Sequence, residues 1–225
     1  MSKDDLYKEK GHKYYSNIRW DIIDLIPEGP HKVLEVGCGT GSTLVKLKEI
    51  HKAQEIYGFE LNEEMVQEHI QDINKVIIGD IEQLDPPFLE NFFDYIIFGD
   101  VLEHLVEPEK ILKKYMTYLK TEGIIIASIP NIKNYSVLTR LIFQDRFEYK
   151  EAGILDRSHL RFFTKREIVN MFDRSGMHIV GMKSNLSYPM NNIDKMLNGS
   201  ISNHKIPGYS FFTVQYIACA KKRNH

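Results

Sequence analysis

The sequence has few cysteines, no long apolar run and no strong excess of charge of either sign. Its two cysteines, Cys38 and Cys219, cannot build a disulfide framework, and no C-x-x-C pair suggests a zinc site. A formal net charge of -2 does not favour a dedicated nucleic-acid binder. The longest apolar runs, such as residues 95–98, are far below the ~20 residues that span a bilayer.

Two further features indicate where the protein works. The N-terminus is polar and lacks the apolar segment of a signal peptide. Two free thiols are typical of a reducing compartment. The sequence therefore predicts a soluble, cytoplasmic protein that has neither nucleic acid nor a membrane as a partner.

The chain is long enough for one full hydrophobic core, since it has 225 residues of which 43% are hydrophobic. We therefore expect a single domain over residues 1–225. Apolar residues at helical spacing predict an N-terminal amphipathic helix over residues 12–26. Residues 131–163 form a long connection with an apolar middle. Such connections are usually functional or contain helices, and we expect this one to cover the substrate side.

Short apolar segments alternate with helical segments over residues 32–130. The predicted strands are 32–36, 54–60, 75–79, 93–99 and 123–130. The clearest predicted helices are 62–73 and 108–119. This alternation is typical of crossover units, and it predicts a doubly wound α/β fold with a parallel sheet covered by helices on both faces.

Beyond the long connection the regular alternation stops. A helix over residues 164–176 is predicted by Thr164 as N-cap and Glu167 at the capping-box position. Two strands are predicted at residues 177–186 and 209–220, with a loop between them. Ligands of doubly wound sheets bind outside the carboxyl ends of the strands, so the functional residues are sought there.

The segment VLEVGCGTGS over residues 33–42 places Gly37, Gly39 and Gly41 directly after the first strand. Without a Cβ, such a turn lets a polar ligand approach the backbone, and its N–H groups can point at that ligand. A dinucleotide site prefers G-x-G-x-x-G, whereas position 42 is Ser. A tight turn with no ligand is the alternative.

Carboxylates follow at the ends of the next two strands. Glu60 lies about twenty residues beyond the glycines, where a carboxylate can accept two ribose hydroxyls. Asp80 ends the third strand and can accept from an adenine amino group while Ile81 packs on the ring. The alternative for Asp80 is a surface carboxylate that caps a helix.

These motifs resemble those of class I S-adenosylmethionine-dependent methyltransferases, over roughly residues 30–130. The resemblance rests on VLEVGCGTGS, on Glu60 in FELN, on GDIEQL at 79–84 and on FDYIIFGDVLEHL at 93–105. It implies a seven-stranded sheet whose last strand is antiparallel, with S-adenosylmethionine as the cofactor. It also implies that the methionine part lies over Glu35, Gly37 and Gly39. The expected cofactor-binding residues are Glu35, Gly37, Cys38, Gly39, Thr40, Gly41, Glu60, Leu61, Asp80, Ile81, Gly99 and Asp100.

The sulfonium methyl is already activated, so the resemblance implies a transfer that needs no metal. A hydroxyl acceptor does want a base, and two histidines are candidates for a catalytic role. His104 lies just past the fourth strand, where the usual role in the family is to pack and orient the loop near the cofactor. His159 lies in the long connection, where Asp156 could orient or charge its imidazole. The alternative is an ion-pair cluster of Asp156, His159 and Arg161 that ties the loop to the body.

The block over residues 156–176 resembles a segment of methyltransferases found with cell-surface glycan enzymes, and also the group that includes the quinone O-methyltransferases. It implies a small-molecule acceptor with a hydroxyl, on a sugar, a glycan precursor or a quinone-like ring. Tyr135, Phe143, Phe147 and Tyr149 either shape the acceptor pocket or form the core of a lid helix.

Three rival functions remain open from the sequence. A nicotinamide-dependent reductase would carry a third fingerprint glycine or alanine at position 42. A non-catalytic S-adenosylmethionine-binding protein would keep the cofactor site and lose the acceptor pocket. A nucleic-acid amino methyltransferase would carry an N/D-P-P-Y/F motif after the fourth strand, but the DPPF at 85–88 precedes that strand and is interpreted as a turn.

Overall fold

The computed structural model describes residues 17–187, 190–196 and 208–223. Seven strands lie in the described chain: β1 Lys32–Val36, β2 Glu55–Glu60, β3 Lys75–Ile78, β4 Phe93–Gly99, β5 Leu119–Pro130, β6 Met177–Leu186 and β7 Thr213–Lys222. They form one sheet in the order β3-β2-β1-β4-β5-β7-β6. Strand β7 pairs antiparallel with both β5 and β6, while the pairs among β1 to β5 are parallel.

Helices connect these strands. They are α1 Trp20–Ile23, α2 Ser42–Glu49, α3 Glu63–Val66, α4 Pro108–Tyr118, α5 Tyr135–Gln144, α6 Lys165–Arg174 and α7 Met190–Met196. Two short 3-10 helices span Leu102–His104 and Tyr209–Phe211. Local chemistry determines several starts, since Asn62, Asn134 and Thr164 accept hydrogen bonds from backbone N–H groups in the first turns of α3, α5 and α6.

The sheet is buried on both faces because neighbouring residues of a strand contribute to opposite sides. Leu34 and Phe98 belong to one apolar cluster, whereas Val33 and Ile97 belong to the other. A strand with two buried faces is mostly apolar, as β1 and β4 are, and the buried Glu35 in β1 is the exception. The predicted doubly wound, seven-stranded sheet with an antiparallel last strand is therefore confirmed.

Two helix predictions are too long. Of the helix predicted over residues 12–26, positions 12–16 lie outside the described residues, and only Trp20–Ile23 is helical in the remainder. Arg19 is its N-cap, with a ψ of 73° that lies outside the helical range. The helix predicted over 62–73 ends after Val66 and is followed by turns, although Ile73 is buried in the core.

Beyond residue 176, the observed strands lie roughly where the sequence predicts them. Strand β6 has the predicted bounds, and the strand predicted over 209–220 begins only at Thr213, after the second 3-10 helix. The predicted loop over 187–208 contains α7, while 188–189 and 197–207 lie outside the described residues. Among the helices that the structure describes, none combines the length and apolar character needed to cross a membrane.

Candidate active site

A cavity of about 1040 Å³ opens at the carboxyl ends of β1, β2, β3 and β4. Its walls are the glycine turn after β1, the ends of the three neighbouring strands, residues 17–21 and Gln215 of β7. Eleven of the fourteen predicted site residues line it: Glu35, Gly37, Cys38, Gly39, Glu60, Leu61, Asp80, Ile81, Gly99, Asp100 and His104. Thr40, Gly41 and His159 are not among its wall residues.

The glycine turn has the left-handed backbone that its sequence requires. Gly37, Gly39 and Gly41 have φ of 70°, 54° and 83°. A Cβ on Gly37 would meet the Val101 side chain at 2.7 Å, and one on Gly41 would meet Ile73 at 2.6 Å. The glycines therefore permit both the backbone conformation and close packing against neighbouring loops.

The N–H groups of this turn bond within the protein, which corrects the expectation that they point at a ligand. Gly37 N and Cys38 N donate to the Phe59 carbonyl at 2.7 and 3.2 Å. Gly39 N donates to the Glu60 carboxylate at 2.8 Å, and Gly41 N donates to the Cys38 carbonyl. A turn with its donors used in this way offers few groups for a pyrophosphate.

Glu60 is held at the end of β2 by three backbone donors. Besides Gly39 N, the Leu61 and Asn62 N–H groups bond its Oε1 at 2.8 and 3.0 Å. Burial raises the pKa of Glu60, and these three hydrogen bonds oppose the rise. A carboxylate has about four lone-pair sites. One site therefore remains for a ligand hydroxyl.

Glu35 is a buried carboxyl at the end of β1, and only 4% of its surface is exposed. Its Oε2 has no hydrogen-bond partner among the described residues. Burial raises the pKa of Glu35 to about 8, with Arg19 opposing the rise and Glu60 adding to it. This carboxyl is therefore mostly protonated at neutral pH in the cofactor-free protein, and a cation bound beside it would favour its ionised form.

Arg19 is a wall residue that the sequence analysis missed. Its guanidinium donates to Asp100 at 2.7 Å and binds Asp21 through two nitrogens at 3.0 and 3.1 Å. Burial lowers the pKa of Arg19, but Asp100 and Asp21 outweigh that effect and the net shift is upward. The available signal was Asp100 itself, because an acid at a buried strand end needs a cation nearby.

Asp100 has a strained backbone, with φ of 57° in a residue that is not glycine. Ser128 on β5 donates its hydroxyl to one carboxylate oxygen of Asp100 and accepts from the Asp100 backbone N–H. Gln215 also donates to that carboxylate. Asp100 is thus fixed by β5, β7 and the segment before α1 at the same time.

Asp80 directly follows β3 and the glycine at position 79. It lines the cavity beside the buried Ile81, and it also caps the turn that follows β3. Its carboxylate accepts from the Glu82 N–H at 2.9 Å and from the Gln83 amide at 3.1 Å. The capping contacts fix the carboxylate at the rim of the cavity.

The remaining residues of the glycine turn have structural roles inside the protein. Cys38 packs into the apolar cluster under α2, and burial raises its thiol pKa well above the ordinary value. The thiol therefore stays protonated, as a buried filler would. Thr40 is fully buried, with its hydroxyl 2.6 Å from that of Ser42, and Gly41 is the N-cap of α2.

The two histidines, 55 positions apart in the chain, lie together in the structure. Their ring centroids are 4.7 Å apart at an interplanar angle of 73°. His104 Nδ1 is 3.0 Å from the Ser158 carbonyl, and His159 Nδ1 is 3.0 Å from the Ile154 carbonyl. A carbonyl only accepts, so both Nδ1 atoms carry a proton, and in the neutral form of each ring Nε2 carries the lone pair.

The Glu103 carboxylate lies beside the His159 ring, at 3.9 Å from Nε2. Asp156 accepts from the Ser158 N–H and hydroxyl at 2.9 and 2.5 Å. Backbone contacts join this connection to the segment after β4. Leu160 N and Arg161 N donate to the Glu103 carbonyl, and the Arg161 side chain donates to the Val106 carbonyl.

None of the described wall residues comes from the predicted cover over 131–163. The interpretation of its aromatic residues as lid core fails for Phe143, which is 80% exposed. Phe147 and Tyr149 pack instead with Phe162. Tyr135 lies against Phe212.

The wall carries much more negative than positive charge. Five side-chain carboxyl groups line the cavity, of which Glu35 is mostly protonated at neutral pH, and Arg19 is the only Lys or Arg among the described wall residues. The carboxyl groups are those of Asp21, Glu35, Glu60, Asp80 and Asp100. Such a wall attracts a cationic ligand and repels a pyrophosphate. Together with one free acceptor site on Glu60, this arrangement suits a cationic nucleoside such as an adenosyl sulfonium.

Comparison with known proteins agrees with this site. The profile of a family described as a methyltransferase domain matches residues 8–181. The chain is 27% identical over 190 residues to a demethylmenaquinone methyltransferase of Bacillus cereus (strain ATCC 10987 / NRS 248), an alignment that covers 76% of this chain and 79% of that protein.

Two solved structures have a similar fold. One is a SAM-dependent methyltransferase from Archaeoglobus fulgidus, with a TM-score of 0.67, 18% identity and coverage of 98% of this chain and 100% of that chain. The other is an S-adenosylmethionine-dependent methyltransferase from Mesorhizobium loti, with a TM-score of 0.62, 14% identity and coverage of 94% and 100%.

The fold and the site define an enzyme of the class I methyltransferases, which use S-adenosylmethionine as cofactor. The chain belongs to the methyltransferase-domain family, whose profile covers more than half of it.

Proposed function

We propose that the enzyme transfers the methyl group of S-adenosylmethionine to a hydroxyl of a small molecule. The observation that carries this proposal is the position of His104 at the cavity wall. His104 lines the cavity, and its Nδ1 is fixed on the Ser158 carbonyl, so Nε2 is the proton acceptor. A hydroxyl needs such a group to take its proton, whereas amines, thiols and acidic carbons need less help.

The cofactor would lie along the strand ends from β3 to β4. Asp80 and Ile81 would contact the adenine, and Glu60 would accept one ribose hydroxyl at its remaining site. The methionine part would lie over Glu35 and the glycine turn, with its ammonium on the Glu35 carboxyl. That placement directs the sulfonium toward Asp100 and the His104 end of the cavity.

The transfer is an in-line displacement in which the acceptor oxygen forms a bond to the methyl carbon while the carbon–sulfur bond breaks. The protein mainly has to align the three atoms, and alignment can contribute about 7–11 kcal/mol. The hydroxyl proton leaves toward His104. His159 does not line the cavity and would act through the ring of His104, as a positioning residue.

The relatives support a small acceptor. The name of the Bacillus cereus relative describes a methyltransferase that acts on demethylmenaquinone, a quinone-class compound. A quinone-like ring, a sugar and a glycan precursor all offer a hydroxyl of suitable size. A nicotinamide-dependent reductase is disfavoured by the acidic wall and by the use of the turn's N–H groups inside the protein.

The test is methyl transfer from methyl-labelled S-adenosylmethionine to a panel of phenols, quinols and sugars, set beside matched amines and thiols. Labelled product from hydroxyl acceptors, with turnover lost in His104→Gln and lowered in His159→Ala while cofactor binding is kept, supports the proposal. Transfer only to amines, thiols or carbon acids would contradict it. Cofactor binding with no transfer to any acceptor would favour a non-catalytic binding protein.

A further inference from the structure

A second group of polar side chains lies beside the cavity. It consists of Glu103, His104 and His159, which are 1%, 7% and 7% exposed. One ligand atom from each residue lies within 4.8 Å of the others. Two of the three residues lie on the 3-10 helix after β4, and the third comes from the connection before α6. We call it the Glu103–His104–His159 cluster.

Backbone contacts orient this cluster. Both Nδ1 atoms donate to carbonyls at 3.0 Å, so the lone pairs of both Nε2 atoms are directed away from those carbonyls. This is the arrangement that proteins use to fix the tautomer and orientation of metal-binding histidines. Glu103 is also held, because Leu160 N and Arg161 N bond its carbonyl at 2.9 and 3.0 Å.

From this geometry we propose that the Glu103–His104–His159 cluster binds one divalent transition-metal ion, through the Glu103 carboxylate and the two Nε2 atoms. Two imidazoles and one carboxylate favour an ion such as Zn²⁺ over Mg²⁺ or Ca²⁺, which prefer oxygen ligands. Three protein ligands would leave a coordination position open, as in catalytic rather than structural sites.

The distances fit after a small adjustment. Ligand atoms about 2.0–2.2 Å from a shared ion lie about 3–3.5 Å from each other. The His159 Nε2 atom is 3.9 Å from the Glu103 carboxylate, so this pair needs to approach by less than about 1 Å. The other pairs lie within 4.8 Å of each other, and rotations of the two rings and the carboxylate would have to close the difference.

The position gives the ion a role, and this step rests on the proposed function. His104 is a wall residue, so the ion would lie next to the acceptor end of the cavity. A bound divalent ion lowers the pKa of a coordinated hydroxyl. If the ion is bound, the ion rather than the His104 imidazole would promote loss of the acceptor proton.

The first test is calorimetric titration of the whole chain with Zn²⁺, without cofactor or acceptor. We expect one ion per chain at the cluster and a loss of about 100-fold or more in affinity in Glu103→Gln and His159→Gln, because even outer-shell partners contribute about 10- to 100-fold. His69→Gln is the matched control, since His69 is a histidine 3.4 Å from an exposed carboxylate of Asp72. Equal Zn²⁺ affinity in wild type and both cluster variants would overturn the proposal.

The second test uses only wild-type protein and so does not depend on whether the variants fold. Crystals soaked in Zn²⁺ should show an anomalous-scattering peak between Glu103 and the two histidines. Peaks only at surface histidines, or no peak, would mean that the cluster is a buried imidazole–carboxylate contact. Neither test involves methyl transfer. If the metal proposal fails, the proposed acceptor chemistry therefore stays in place.

Discussion

Glu60 shows how one side chain serves both the fold and the site. Its carboxylate closes the glycine turn through Gly39 N and caps the end of β2 through Leu61 and Asn62. Hydrogen bonds to a charged group contribute about 1.5–3 kcal/mol each. The same carboxylate also presents one remaining acceptor to the cavity. Its replacement should therefore affect cofactor affinity strongly.

We predict that Glu60→Gln weakens the binding of S-adenosylhomocysteine by about 10- to 150-fold, since the amide loses one charge-assisted hydrogen bond. Isothermal titration calorimetry measures the affinity. Asp85→Asn is the control, because Asp85 is an exposed carboxylate remote from the cavity. An unchanged affinity in Glu60→Gln would show that Glu60 does not contact the cofactor.

Glu35 predicts a dependence of stability on pH. Its folded pKa of about 8 lies above the ordinary carboxyl value, so this residue favours folding below the ordinary value and loses that contribution as pH rises through about 8. Glu35→Gln cannot ionise. It should therefore gain free energy of unfolding relative to wild type as pH is raised from about 5 to 9.

Urea unfolding of the cofactor-free protein at several pH values measures this difference. Glu90→Gln, which alters an exposed carboxyl, is the control and should show no such trend. A constant difference between Glu35→Gln and wild type over the whole range would mean that Glu35 is ionised in the folded protein at neutral pH.

At the scale of the elements, the connection between β1 and α2 carries the most demanding geometry. Three glycines with positive φ alternate there, and a Cβ on the first would meet Val101 in the loop after β4. Gly153 also has a positive φ, of 93°, but a Cβ there would meet nothing within 4 Å. The two positions share backbone strain and differ in the space available.

We predict that Gly37→Ala destabilises the protein by more than the ~1–2 kcal/mol of left-handed strain and weakens cofactor binding. Gly153→Ala should lose only the stability that left-handed strain costs, and it should bind the cofactor as wild type does. Thermal unfolding and calorimetry measure the two effects. Equal losses of stability, with unchanged affinity in both variants, would show that the glycine turn does not need its close approach.

The elements that the sequence predicts well are those whose composition alone decides their burial. Strands β1 and β4 are apolar runs bounded by polar or glycine residues, and their predicted bounds agree with the structure. The helix predicted over 62–73 is too long because the signal at its start, the Asn62 cap, says nothing about where it ends. Arg19 and the contact of His104 with His159 depend on distant segments, so no local pattern reveals them.

At the scale of the whole molecule, the cavity is assembled from segments far apart in the chain. Residues 17–21 close over the carboxyl ends of the strands, and Arg19 is anchored to Asp100 after β4 and to Gln215 on β7. The result is a deep, acidic pocket with a wall that lacks side chains at the turn. This combination of charge and shape should select a sulfonium nucleoside over a dinucleotide.

Thermal melting of the wild-type protein with three ligands tests that claim most directly. S-adenosylmethionine and S-adenosylhomocysteine should each raise the midpoint, with a stabilisation of about 2.7 kcal/mol at roughly 100 times the dissociation constant. NADH should leave the midpoint unchanged, since its pyrophosphate meets carboxylates and few available N–H groups. A midpoint raised by NADH and by neither adenosyl compound would contradict the account.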